Sequence, residues 1–169
     1  AKALLEEAGV SGLSIELDVL NTAEFITAAQ IIQANLGEIG IELQINQLDS
    51  GAFWNVAADR KEDLQLTLNS YTSPPDPSWS TQWFIGDQKG IWNWVWLDSK
   101  EFDNLHFAAL KETDIDKRES MYHQMQKVMD DSGGFLFIMH PPSVIMYRDT
   151  IKPGLYPNGG FKLSDFQAA

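Results

Sequence analysis

Residues 69–79 read Asn69-Ser70-Tyr71-Thr72-Ser73-Pro74-Pro75-Asp76-Pro77-Ser78-Trp79, which brings a phenol, several hydroxyls, a carboxylate and an indole into one short stretch. Such a set can hydrogen-bond a polar ligand or stack on a flat one. With a second carboxylate such as Asp87 it could also move protons, if the separation allowed it. The prolines fix φ and restrict the residues before them, so the stretch is a stiff loop. Proline, serine and aspartate are also ordinary turn residues, and a plain surface turn has the same composition.

The segment that follows adds weight. Five of the six tryptophans, Trp79, Trp83, Trp92, Trp94 and Trp96, lie within it. Tryptophans beside a cleft suit stacking on sugar rings or apolar side chains, with the indole N–H as a polar handle. Most buried indoles are simply core. Trp79 and Trp83 stand one helical turn apart directly after the loop and are the stronger ligand contacts. Trp92, Trp94 and Trp96 alternate, so one face of that triplet is expected to be buried.

Other chemistries are excluded or unsupported. The chain has no cysteine, which removes disulfides, thiolate catalysis and cysteine metal sites. No Gly-x-Ser-x-Gly elbow, phosphate-binding glycine loop, dinucleotide fingerprint or His-Glu-x-x-His pair occurs. His106, His123 and His140 lack ligand-like spacing, and Asp114-Ile115-Asp116 lacks the rest of a calcium loop, so it reads as a helix cap. No catalytic residue, metal site or cofactor is expected. The net charge of −12 is spread along the chain, which argues against nucleic acid as a partner. No apolar run approaches the length of a membrane-spanning helix.

The elements that must position these residues follow from periodicity. Residues 1–8 form an amphipathic helix closed by Gly9, and a chain opening inside a helix is expected to be part of something longer. Leu13 to Val19 alternates as a strand, and Asn21 and Thr22 offer caps to a helix with Phe25, Ala29, Ile32 and Leu36 on its apolar face. Gly40 stops that helix. Ile41 to Asn46 alternates again, a short helix spans about Ala52 to Asp59, and Leu64, Leu66 and Leu68 lead into the Tyr71 loop. The order β-α-β-α-β favours a parallel or mixed sheet. Ser99 caps a helix near Lys100 to Thr113, and a second runs from about Ile115 to Asp131. Its Met121, Met125 and Met129 fall at core spacing. Phe135 to Met139 is continuously apolar and reads as a buried central strand, followed after Pro141-Pro142 by a strand over 143–147.

From end to end the chain resembles the C-terminal lobe of the family 5 extracytoplasmic solute-binding proteins, the receptors of peptide and nickel-type ABC importers. The resemblance runs through Ala1-Lys2-Ala3-Leu4-Leu5-Glu6-Glu7-Ala8-Gly9, Gln30 to Ile41, Asp76-Pro77, Ser99 to Leu105, Asp116-Lys117-Arg118 and Met121-Tyr122. It implies an α/β fold: one lobe of a two-lobed, periplasmic-binding-protein-like (class II) receptor, with a mixed sheet flanked by helices. Residues 1–140 would be the C-terminal ligand-binding lobe, and 141–169 a hinge at Pro141-Pro142 plus a segment returning to an N-terminal lobe. The implied partners are a peptide or other small-molecule ligand, that N-terminal lobe and a membrane permease, in the periplasm or elsewhere outside the cytoplasm.

The expected ligand-binding residues are Tyr71, Thr72, Ser73, Pro74, Asp76, Trp79, Trp83, Trp92 and Trp94. There is one departure from the pattern. The family's peptide binders place an aspartate two or three residues after the aromatic that ends the strand, to take the peptide's ammonium group. Here Thr72, Ser73 and Pro74 stand there, and Asp76 comes later. Oligosaccharides, opines and metal chelates therefore stay open as ligands. So does a different class, a polymer hydrolase with a tryptophan-lined groove and Asp76 as acid or base. A lone lobe without binding function is the third reading.

Overall fold

Alternating side chains put Ile15, Leu17 and Val19 on one face of β1 (Ser14–Leu20), with Leu43 and Ile45 beside them on β2 (Glu42–Leu48). The helix α2 (Ala23–Gly37) lays Phe25, Ala29, Ile32 and Leu36 on that face and closes the first core. The chain is seen in a computed structural model that describes residues 1–60, 63–71, 75–140 and 144–169. Its first helix, α1 (Lys2–Glu7), ends with Gly9 at φ 65, where Val10 N–H bonds the Leu5 carbonyl and Gly9 N–H that of Glu6. That pair of bonds is a Schellman closure, which a side chain at Gly9 would strain.

The opposite face of the sheet belongs to α3 (Ser50–Arg60). Phe53, Val56 and Ala57 are buried there with Trp94, against Leu20, Leu48, Trp54 and Leu64. β3 (Leu66–Leu68) pairs with β1, so the three-stranded sheet has the order β2-β1-β3 and is parallel throughout. Both flanks of β1 are therefore paired, and its centre is buried on both faces: Val19 at 0% and Asp18 at 2% exposure. Asn46 Nδ2 bridges the Asp18 and Glu16 carboxylates across the ladder at 3.2 and 3.3 Å.

Contacts divide the chain into two compact units, residues 1–71 with 90–94 and residues 72–89 with 95–169. The second unit is built on a helical hairpin, α5 (Lys100–Ala109) and α6 (Ile115–Asp131), preceded by the short α4 (Ser78–Thr81) and two 3₁₀ turns. Ser99 Oγ accepts from Phe102 N–H, and Asp114 Oδ1 from Lys117 N–H, so both expected caps form. Phe102, Ala109, Tyr122, Met125 and Met129 make the core, and the methionine stripe is packing. At Thr22 the cap is backbone only: no side-chain bond closes α2. α5 stops at Ala109, short of Thr113.

Two expected strands do not form. Residues 135–139 and 144–147 have no ladder, and Leu136, Ile138, Val144 and Met146 stand 84, 55, 81 and 94% exposed. A strand needs a backbone partner as well as apolar side chains, and none pairs with these residues among those described. Phe135 turns inward, edge-on to Phe84 at 5.1 Å, and Ile145 is half-buried. The proposed hinge at Pro141-Pro142 lies outside the described residues. The only ladder in the second unit joins β4 (Ile151–Lys152) to β5 (Gln167–Ala168), antiparallel, among the described residues.

Candidate functional site

In the first unit the strands deliver their carboxyl ends, Leu20 and Leu48, to a cluster of aromatic rings. That is where open α/β sheets bind ligands. Trp54, on the first turns of α3, is its hub. Its ring lies edge-on or tilted to Phe53, Tyr71, Trp92 and Trp94, with centroids 5.3, 6.2, 6.1 and 5.7 Å away. Such pairs add roughly 0.5–1.5 kcal/mol each beyond their burial. Trp94 is buried against Phe53, and its Nε1–H donates to the Ile91 carbonyl at 2.8 Å. Gly90, at φ 74, makes the turn that folds 90–94 back on itself.

Tyr71 closes the group. Its hydroxyl donates to the Trp92 carbonyl at 3.3 Å, tying the end of the third strand to the 90–94 segment. Burial pushes the phenol up to about 12, against a smaller opposing effect of the Asn69 side chain. It stays protonated at any physiological pH. Trp54, Tyr71 and Trp92 are all half-buried, so the rings present partial faces rather than a closed core. The Trp92, Trp94, Trp96 alternation is not a strand: Trp96 has φ 54, a left-handed conformation that costs a bulky residue roughly 1–2 kcal/mol.

In the second unit Asp76 is engaged within the protein. Arg118 Nη2 lies 2.8 and 3.0 Å from its two oxygens, and Ser78 N–H donates to Oδ1 at 2.9 Å. The Arg118 guanidinium first, then the Ser78 side chain and amide, hold the carboxyl well below the usual carboxylate range. An always-ionised, ion-paired carboxylate is no general acid and a poor base. Trp79, on α4, is 48% exposed, and Trp83 is half-buried in the next turn. Thr81 Oγ1 and His106 Nδ1 are 2.8 Å apart, with His106 buried. Burial lowers the His106 pKa, partly offset by Asp103.

The structure thus brings Tyr71, Trp92 and Trp94 together in one unit and holds Asp76, Trp79 and Trp83 in the other. Thr72, Ser73 and Pro74 lie outside the described residues. Sequence reasoning missed Trp54 and Arg118. The signal for Trp54 was its place one turn into the helix after β2, at the carboxyl end of the sheet. Arg118 had none, because its partner lies 42 residues away. Among the described residues no group of histidines and carboxylates is arranged to hold a metal ion, and no helix is long and apolar enough to cross a membrane.

A parallel sheet flanked by helices, with aromatic side chains at its carboxyl edge, defines an α/β unit of the kind that holds ligands at that edge. Comparison with known proteins places it more closely. Residues 1–91 match the family "Bacterial extracellular solute-binding proteins, family 5 Middle", and the chain belongs to that family. It is 30% identical to Di/tripeptide-binding protein 4 of Pseudomonas aeruginosa and 28% identical to the Dipeptide-binding protein of Escherichia coli, in each case over 90% of this chain and 30% of the relative. The chain therefore spans about a third or less of the length of these relatives. Among solved structures, the dipeptide binding protein of Pseudoalteromonas sp. SM9913 in complex with Met-Leu superposes with a TM-score of 0.78 at 21% identity, covering 99% of this chain and 35% of that one. These relatives are named as binding proteins, not as enzymes.

Proposed function

We propose that the chain is the ligand-binding lobe of a substrate-binding receptor of an ABC importer, acting outside the cytoplasm. It takes a di- or tripeptide or a similar small solute in a cleft between two lobes and delivers it to a membrane permease. The observation that carries this reading is the half-exposed group of Trp54, Tyr71 and Trp92 at the carboxyl edge of the parallel sheet. Partial aromatic faces there suit an apolar side chain of a peptide ligand. The names of the relatives support the peptide class.

In this reading residues 1–140 form the lobe, and 141–169 return toward the second lobe. The exposed apolar run from Leu136 to Met139, with Val144 and Met146, supports a seat for that lobe. Closure of the two lobes on ligand is then a population shift. In this reading the chain binds its ligand without catalysis, which the tie of Asp76, the carboxylate best placed in sequence for acid–base work, to Arg118 supports. Half a cleft lacks the contacts that bury most of a ligand, so affinity resides in the full-length protein.

The test is native mass spectrometry of the full-length protein from its own cells, repeated under denaturing conditions. A co-purified small molecule with a peptide's mass, released on denaturation, supports the proposal. A released oligosaccharide moves the ligand class to sugars within the same receptor role. Turnover of the bound molecule overturns the role itself.

A further inference from the structure

The segment from Asp76 to Thr81 has little of its own to hold it. α4 is one turn long, far below the length at which a helix is stable alone. Its tryptophan, Trp79, leaves half its surface in solvent, so apolar burial anchors it weakly. What holds it is polar. Asp76 closes the turn locally, its carboxylate accepting from Ser78 N–H and its carbonyl from Trp79 N–H. At the far end Thr81 meets His106.

The link from the Asp76-Pro77 turn to the helical hairpin is Arg118. This one guanidinium, in the first turns of α6, reaches three elements. Nη2 donates to Asp76, Nε donates to the Ala109 carbonyl at 2.9 Å, and Nη2 also lies 2.9 Å from the Tyr122 hydroxyl. Ala109 is the last residue of α5, and its carbonyl is one of those that a helix end leaves without an internal partner. The Tyr122 ring lies under the guanidinium, 5.1 Å from ring centroid to carbon, and stiffens it further. A planar fork of donors makes these bonds in different directions at once, which a lysine ammonium cannot do.

We propose that Arg118 is a positioning residue for ligand binding: it locks the Asp76–Thr81 segment to the α5–α6 hairpin, and Asp76 serves binding through Arg118 and not by touching the ligand. This rests on the receptor function proposed above. It reassigns the one carboxylate of the 69–79 stretch from ligand recognition to the framework. The ammonium group of a peptide ligand is then taken by some other group of the full-length protein.

The experiment compares Asp76→Asn, Arg118→Met, the double variant and Arg118→Lys in the full-length protein. Two quantities are read: amide hydrogen exchange of residues 76–84, and the dissociation constant for the dipeptide Met-Leu by calorimetry. Loss of a charge-assisted link predicts that each single change speeds exchange and weakens Met-Leu binding by a similar factor, roughly tenfold. The double variant is then no worse than either single one, because both remove the same link. Arg118→Lys keeps the ion pair with Asp76, recovers part of both effects and, as the mildest change, tests the link even if the others fold poorly.

Unchanged exchange in both single variants overturns the proposal. So does faster exchange with unaltered affinity. A loss of binding in Asp76→Asn that Arg118→Met does not share also overturns it, and puts Asp76 on the ligand. If the unaltered protein binds no Met-Leu, the dipeptide reading of function fails, and exchange in the four variants still decides whether the lock exists.

Discussion

The three-stranded sheet and the run from Phe135 to Met146 are both rich in apolar residues, and only one of them builds a core. β1 has a backbone partner on each side and a helix on each face, so Leu17 and Val19 vanish from solvent. Past Phe135, Leu136 and Met146 stand almost fully exposed. The contrast teaches that apolar content states what a segment is fit to bury, while backbone pairing decides whether it becomes a strand. In the first unit β1 is flanked by β2, the next strand along the chain, and by β3, which returns to its other side after β2 and α3. For the later run no partner lies among the described residues.

The largest effects test the completed cores. Phe53→Ala and Phe102→Ala each empty a fully buried site and should cost about 3–5 kcal/mol in urea unfolding. A loss below about 1 kcal/mol at either site would show that its core is not packed as described. Trp54→Ala removes four ring contacts from a half-buried position and should cost about 2–3 kcal/mol, with collapse of the near-ultraviolet dichroism of the tryptophans. An unchanged spectrum would break the aromatic hub.

The apolar run gives the sharpest contrast between this chain and the longer protein. Leu136→Ala should change the stability of this chain by no more than about 0.5 kcal/mol. In the full-length protein, where the proposed second lobe covers it, the same change should cost about 2 kcal/mol or more. Equal small effects in both would remove the run from any interface.

The smallest expected effect is a pH slope. His106 is buried and neutral, with its pKa lowered, so the unfolded chain binds its proton more readily than the folded one. Its contribution is present above the ordinary histidine range near about 6.5 and is lost as pH falls below that value. Denaturation midpoints between pH 7 and 5 should fall with pH, and His106→Gln should flatten that slope. An identical slope in the variant would place the titration elsewhere.

Much of this was legible beforehand, and the reasons are local. The 3.6-residue period of Phe25, Ala29, Ile32 and Leu36 announced α2, and Ser99 and Asp114 announced the starts of α5 and α6 by the bonds they now make. Of the expected site, the grouping of Tyr71 with Trp92 was beyond local rules, because the turn at Gly90 and a hydroxyl-to-carbonyl bond across 21 residues create it. Asp76 looked available to a ligand for the same reason: nothing near it in sequence competes for its carboxylate as Arg118 does in space.

The chain's own sequence determined the helices, the alternating strands of the sheet, the caps at Ser99 and Asp114 and the family, since these depend on side chains within a turn or two of one another and on residue identity along the chain. Only the tertiary structure decided that Trp54 gathers the aromatic rings, that Arg118 claims Asp76, and that the apolar run after Phe135 finds no strand partner among the described residues. Those outcomes depend on which distant groups meet, and meeting is set by the packing of whole elements, not by the residues that meet.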